Sequence, residues 1–242
     1  MNGRAAPDAA GIPGRVASVR GRIAAAAERA GRDPAEVTLV AAAKLQPVAA
    51  VRAAVAAGVP DIGENYAQEL AAKAAEVPGA RWHFIGRLQR NKARLLVAAG
   101  ALVHSLDSLA GARALGRRAV EAGTVARALV QVELDERAAA HGVPAGDLED
   151  FVAACRQTSG LELIGLMLMP PPAPSAEATR PLFRRLAELA RRLGGDLRAL
   201  SMGMTADFEV AVEEGATLVR VGTAIFGPRP AEKVASSEAG GT

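Results

Sequence analysis

Eight short runs rich in Val, Leu, Ile and Ala alternate with helical patterns along the 242-residue chain. The runs are 37–43, 59–63, 80–85, 101–105, 126–134, 161–167, 197–201 and 216–221. Helical periodicity follows the first seven, at 49–57, 64–76, 89–98, 108–122, 145–157, 176–193 and 205–214. Strands recurring every 20 to 30 residues or so, with a helix in each gap, describe parallel strands joined by crossover helices. Eight such units are the number that closes a barrel, and no long linker interrupts them. The competing arrangement is an open doubly wound sheet, which normally carries a glycine-rich turn after its first strand. Here that turn is Lys44-Leu45-Gln46-Pro47, without glycine. The chain is therefore expected to be α/β, a single (β/α)8 TIM barrel over residues 14–230 with an extra N-terminal helix at 15–30. Residues 1–13 are expected to be a disordered N-terminus and 231–242 a flexible tail.

Composition narrows the function classes. Half of the residues are apolar and 3% are aromatic, so the core must be packed from Leu, Val and Ala. One Trp and one Tyr do not make a base-stacking platform. The arginine pairs 117–118, 184–185 and 191–192 each lie inside a helical pattern and read as solvated faces. Nucleic-acid binding is not expected. Cys155 is the only cysteine, which excludes an intrachain disulfide and a cysteine metal site. A reducing, cytoplasmic setting fits this. No signal-peptide architecture or uncharged membrane-length window occurs, so no membrane partner is expected.

In a barrel the ligand sits at the carboxyl ends of the strands. The first strand runs straight into Lys44, one of only four lysines in a chain whose other 25 basic residues are arginine. Arginine can supply charge but cannot serve as a nucleophilic amine, so this lysine stands out as a Schiff-base former. The plainer reading is a lysine that only carries its charge out of a strand end. Other strand ends offer Gly63, Glu64 and Asn65; Gly86, Arg87 and Gln89, with His83 inside that strand; His104, Ser105 and Asp107; Glu133 and Asp135; and Met167.

The seventh strand ends in Ser201-Met202-Gly203-Met204-Thr205, with Thr205 placed as a helix N-cap. The eighth ends in Arg220, Gly222 and Thr223. Loops after these two strands are the usual barrel phosphate site. Strand alternation turns Arg220 toward the barrel interior, where it needs a partner. A ligand acceptor, Glu133 or Asp135 would each serve. His83 and His104 read as core or rim histidines rather than as metal ligands. An amine at one edge and an anion site at the other suit a phosphorylated aldehyde. Pyridoxal 5′-phosphate is one such ligand, and a sugar phosphate on a Schiff-base aldolase is another.

Six ordered motifs then carry a family resemblance. They are Val40 to Lys44, Gly63-Glu64-Asn65-Tyr66-Ala67-Gln68-Glu69, Trp82 to Lys92, Gly165-Leu166-Met167, Leu200 to Asp207, and Val219 to Gly227. Over residues 15 to 229 the chain resembles the pyridoxal phosphate homeostasis proteins, single-domain relatives of the alanine racemase N-terminal barrel. The resemblance implies that Lys44 holds pyridoxal 5′-phosphate as an internal aldimine. It implies that Ser201, Gly203, Gly222 and Thr223 surround the phosphate, with Thr205 in the same loop, and that Arg220 faces the pyridine nitrogen. Asn65 and His83 would lie close to the cofactor, and Met167 would line the barrel floor or wall. It further implies a monomeric protein of vitamin B6 and amino-acid homeostasis with no established turnover, which could pass the cofactor to apo-enzymes.

Alanine racemases carry a second domain and a tyrosine from the partner subunit as opposing base; neither is expected after the eighth strand here, and Tyr66 is the only tyrosine in the sequence. A racemase would need His83, His104 or Tyr66 as a second base. A racemase and a Schiff-base aldolase are the alternatives. The chain departs from the family pattern at Glu133, where an asparagine is usual, and at Ala140, where a lysine is usual before a pair such as His141-Gly142.

Overall fold

The computed structural model describes residues 9–135 and 142–227. The expectations for residues 1–8, for Ala140 and His141, and for the tail from 231 onward lie outside the described residues. The strands are β1 (Thr38–Ala42), β2 (Asp61–Glu64), β3 (Arg81–Phe84), β4 (Leu102–Leu106), β5 (Ala126–Glu133), β6 (Val143–Pro144), β7 (Leu161–Met167), β8 (Ala199–Ser201) and β9 (Leu218–Val221). All pairings are parallel, and β1 pairs with both β2 and β9. The path β1-β2-β3-β4-β5-β7-β8-β9 thus closes on itself as the expected eight-stranded barrel. The two-residue β6 pairs only with the end of β5, beyond the barrel wall.

The helices are α1 (Ile12–Arg29), α2 (Val48–Ala56), α3 (Ala67–Glu76), α4 (Ala93–Ala98), α5 (Leu109–Glu121), α6 (Leu148–Arg156), α7 (Arg180–Leu193), α8 (Phe208–Glu213) and α9 (Thr223–Phe226). The helices that flank the barrel form because apolar residues recur on one face and meet the sheet. In α7 that face is Phe183, Leu186, Leu189 and Ala190, while its arginines point outward. Truncating the fully buried Phe183 to alanine would cost about 3–5 kcal/mol.

The extra helix α1 begins at Ile12, three residues before the periodic start, because Pro13 suits a first helical turn and Ile12 is fully buried. Residues 9–13 are therefore structured, unlike the disordered segment expected up to residue 13. The helix lies on the flank against α2, α8 and α9. Arg15 Nε donates to Ile225 O at 2.6 Å, Arg22 pairs with Glu209, and Arg32 Nη1 donates to Val212 O and Ala216 O.

Two boundary differences matter for the site. Glu64 is the last residue of β2 rather than the first of a helix, so Asn65 and Tyr66 form the loop before α3. Likewise α8 starts at Phe208, not at Thr205. The Asp207 carboxylate accepts the Met204 N–H at 2.7 Å and closes the turn that an N-cap at Thr205 had been expected to open.

The apolar interior is divided by the barrel wall. One large cluster lies between strands and helices and includes Ile62, Phe84, Val103, Leu115 and Phe208. A small second cluster fills part of the lumen with Val40, Leu129, Met167 and Leu218. Much of the remaining lumen is polar: Asp61, His83, His104, Ser201 and Arg220 are all buried. A barrel interior normally holds layers of branched apolar side chains, so this polar set requires internal partners.

Candidate functional site

Lys44 follows the end of β1 and is half-buried. The next residue, Leu45, has φ 61°, the one positive φ of a non-glycine among the described residues. The Lys44 Nζ atom lies 5.4 Å from the centroid of the Tyr66 ring, which the loop after β2 brings across from the neighbouring strand. That ring is 46% exposed, so the amine and its aromatic neighbour are both at the open rim.

On the other side of β1 stands β9, with Val40 opposite Arg220 and Ala41 opposite Val221. Gly222 and Thr223 therefore leave the wall beside Ala42 and Lys44. A side chain at Gly222 would crowd the Ala42 carbonyl at 3.2 Å. Thr223 Oγ1 donates to Thr205 Oγ1 at 3.3 Å, linking the loops after β8 and β9. Gly203, in the first of these loops, has φ 89°, and a Cβ there would sit 2.6 Å from Ala211 Cβ. The loop approaches α8 this closely because it has no side chain at that point. The result is a rim with one primary amine, two hydroxyls and two loop glycines. The helices beginning here are only four and six residues long, so hydroxyls and glycine loops make the cradle.

Beneath the rim a chain of hydrogen bonds crosses the lumen. Arg81 makes two bonds to Asp61, Nε to Oδ1 at 2.8 Å and Nη2 to Oδ2 at 2.5 Å. Asp61 Oδ1 is 3.0 Å from His83 Nε2, and His83 Nδ1 is 2.9 Å from His104 Nε2. His104 Nδ1 is 2.7 Å from Ser201 Oγ, and Arg220 Nη1 donates to Ser201 Oγ at 2.6 Å. Arg220 Nη2 donates to Leu168 O at 3.0 Å.

The two ends of this chain have fixed roles. An ionised Asp61 only accepts, so His83 Nε2 carries a proton. Burial pushes the Asp61 carboxyl upward, but the bonds from His83 and Arg81 outweigh it and bring it down to about 2. Burial first, then the nearby His83 and Arg220, hold His104 well below the ordinary histidine range. Neutral His104 carries one ring proton, so of its bonds to His83 Nδ1 and Ser201 Oγ it donates one and accepts the other. Arg220 in turn supplies the bond that Ser201 accepts. The chain Arg220-Ser201-His104-His83-Asp61 thus runs unbroken from a cation to a carboxylate. Burial lowers the Arg220 guanidinium to about 10, with Asp207 acting in the opposite sense, so it remains a cation at neutral pH.

This arrangement relocates several residues. The Ser201 hydroxyl, fully buried, is committed to His104 and Arg220 instead of being displayed among the rim loops. His83 lies deeper than expected, against Asp61 at the start of β2, and reaches the rim only through His104 and Ser201. Arg220 does face inward, but its bonds go to Ser201 and Leu168 O, and Asp207 is the carboxylate that acts on its charge. Met167 packs in the lumen cluster beside Ser201 on the adjoining strand. Asn65 stays at the rim, half-buried, with the backbone of Gly86 pressed against it; a Cβ on Gly86 would overlap the Asn65 carbonyl.

Comparison with known proteins places this geometry. The family model for the alanine racemase N-terminal domain matches residues 15–230. The pyridoxal phosphate homeostasis protein of Pseudomonas aeruginosa is 43% identical over 220 residues, covering 90% of this chain and 96% of that relative. That of Escherichia coli K12 is 36% identical, with 92% and 98% covered. The chain belongs to the pyridoxal phosphate homeostasis protein family. PipY of Synechococcus elongatus, solved with pyridoxal phosphate bound, shares the fold of this family member with a TM-score of 0.79 and 38% identity, over 89% of this chain and all of PipY. The same protein without the cofactor superposes with a TM-score of 0.80.

The sequence of this homeostasis-family member gives no site role to Asp61, Lys73 or Leu168, and shows Glu69 only within a family motif. Asp61 opens β2 at the end remote from the rim, where a strand-end reading does not look. Lys73 is one of the four lysines and stands four residues after Glu69 on α3, a spacing that marks an ion pair. That spacing does not reveal that both side chains turn inward.

Proposed function

We propose that this chain holds pyridoxal 5′-phosphate through Lys44 and serves vitamin B6 and amino-acid homeostasis as a cofactor-binding protein without established catalysis. The observation that carries the reading is the placement of the Lys44 amine and the Thr205 and Thr223 hydroxyls on adjoining strand ends of one barrel rim. When bound, the cofactor supplies an aldehyde that a lysine amine captures as an imine with loss of one water, and a phosphate dianion that hydroxyls and loop amides can hold.

The residues fit that group. Lys44 provides the amine, and the missing side chains of Gly203 and Gly222 leave room for backbone to approach a phosphate. Thr205 and Thr223 supply the hydroxyls. Arg220 is a buried cation held by Ser201 and Leu168 O and stands on the strand next to β1. A cation opposite a pyridine nitrogen disfavours its protonation and so weakens the ring as an electron sink, which suits holding over turnover. In this reading the protein is a monomer and passes the cofactor to apo-enzymes from its open rim.

The test is direct. The purified protein is incubated with pyridoxal 5′-phosphate, reduced with borohydride and digested. The reading requires a phosphopyridoxyl group on the Lys44 peptide and its loss in Lys44→Ala. Labelling spread equally over other lysines, or none, would overturn it.

A further inference from the structure

We propose that Glu69, backed by Lys73 and Glu64, is the positioning device that holds the turn from which Lys44 is presented. The proposal rests on Lys44 being the cofactor lysine. It concerns Glu69 and Lys73, to which the strand-end site gives no role.

The peptide groups on both sides of Lys44 are gripped by two side chains of α3, the helix after the next strand. Lys73 Nζ donates to Ala43 O at 3.1 Å, on the N-terminal side. The Leu45 N–H donates to Glu69 Oε1 at 3.1 Å, on the C-terminal side. The two gripping groups are themselves joined, because Lys73 Nζ donates to Glu69 Oε1 at 2.7 Å and to Glu64 Oε1 at 2.6 Å. Lys73 is 5% exposed and Glu64 fully buried.

Two features separate this cluster from an ordinary surface ion pair. The first is its target. Leu45 stands at φ 61°, in the left-handed region that a branched L-residue rarely enters. Something must hold it there, and the Glu69 bond to its N–H is fixed by three further contacts of Lys73. Releasing Leu45 to an extended conformation would swing Lys44 relative to Tyr66 and to the loops after β8 and β9. The second is the cost of the cluster itself. Glu64 Oε2 is buried without a hydrogen-bond partner among the described residues. Burial pushes the Glu64 carboxyl up to about 7, against the pull of Lys73. A buried lysine shared by two carboxylates is poorly explained by stability alone. It is explained by geometry, since each member ends on the lysine turn.

The experiment compares the full chain with Glu69→Ala, Glu69→Gln and the double variant Glu69→Ala/Leu45→Gly. Three quantities are read: affinity for pyridoxal 5′-phosphate, amide hydrogen exchange at Leu45, and acylation of Lys44 relative to Lys92 in the cofactor-free protein. Thermal melting controls for folding. Glu69→Ala should weaken cofactor binding about tenfold, the scale of one residue's left-handed penalty, and should speed Leu45 exchange. Glu69→Gln keeps an acceptor for the Leu45 N–H and should recover most of the loss. Glycine at 45 makes the left-handed turn inexpensive, so the double variant should regain affinity although it has no Glu69.

A general structural role for Glu69 predicts no rescue by Leu45→Gly. The proposal is overturned if that double variant binds as weakly as Glu69→Ala, or if Glu69→Ala leaves Leu45 exchange and cofactor affinity unchanged. If the parent chain shows no cofactor on Lys44, the functional reading fails separately. Leu45 exchange and Lys44 acylation still decide the positioning role in that event.

Discussion

Arg220 and Ser201 meet inside the barrel, with Nη1 donating to Oγ across 2.6 Å. The bond spans the neighbouring strands β8 and β9, and the same hydroxyl lies 2.7 Å from His104 Nδ1. One serine thus connects the cation below the rim to a histidine pair that ends on Asp61. Ser201→Ala should leave a buried arginine donor and a buried histidine nitrogen without partners. The expected loss is about 1–3 kcal/mol of unfolding free energy, read by urea denaturation, with Ser201→Thr closer to the parent. An unchanged midpoint in Ser201→Ala would mean that the lumen chain is not formed.

The same chain predicts an acid-sensitive fold. His104 is held well below 6.5 in the folded protein, so below that pH the unfolded chain binds a proton that the folded chain does not. Stability contributed by His104 is full above about pH 6.5 and is lost as pH falls below it. Asp61 acts in a lower window: its carboxyl falls from 3.8 to about 2, so its contribution is full above 3.8 and lost as pH falls through about 2. Unfolding midpoints should therefore begin to drop near the histidine window. His104→Gln should flatten that first decline while leaving the carboxylate decline in place.

Glu64 has the opposite sign. Its carboxyl rises from 4.5 to about 7 on folding, because burial outweighs the Lys73 bonds. The folded chain then binds the extra proton between these values, and the stability Glu64 contributes is full below 4.5 and lost as pH rises through about 7. Relative to the parent, Glu64→Gln should gain stability between about pH 5 and about pH 8. A constant difference across that range would show that Glu64 does not titrate there.

The two rim hydroxyls give a ligand test that needs no change in the fold. Thr205 is half-buried and Thr223 exposed, and their mutual bond is a long 3.3 Å. The double variant Thr205→Ala/Thr223→Ala should lose little stability. It should lower affinity for pyridoxal 5′-phosphate by roughly tenfold or more while changing that for pyridoxal, which has no phosphate, far less. Equal losses for both ligands would place the phosphate elsewhere.

Gly203 tests the loop itself. Its φ of 89° and the 2.6 Å approach to Ala211 Cβ leave no room for a side chain. Gly203→Ala should cost about 1–3 kcal/mol in unfolding free energy, with cofactor affinity falling in the same variant. Wild-type stability and affinity in this variant would mean that the loop has an alternative path.

Much of this protein is legible along the chain. The eight-strand rhythm, the helix before it and the lysine at the first strand's exit are local patterns, set by apolar periodicity and by which residues can begin or end an element. The rim residues Lys44, Gly203, Gly222 and Thr223 follow from them, because a barrel brings its strand ends together whatever their order in the sequence. Alternation also turned Arg220 inward. What it could not show is which inward residues share a layer. His104 and Ser201 are 97 positions apart, and only the register of the closed barrel sets them 2.7 Å from each other. Nothing local shows that His104 and Arg220 share the Ser201 hydroxyl, or that Asp61 ends the same chain. The Leu45 turn is the same case on a shorter scale. Its left-handed backbone carries no glycine to announce it, and the acceptor that holds it lies 24 residues away on α3. Local sequence decided where the elements run; burial in a low-dielectric lumen, and strand register, decided which polar groups had to satisfy one another.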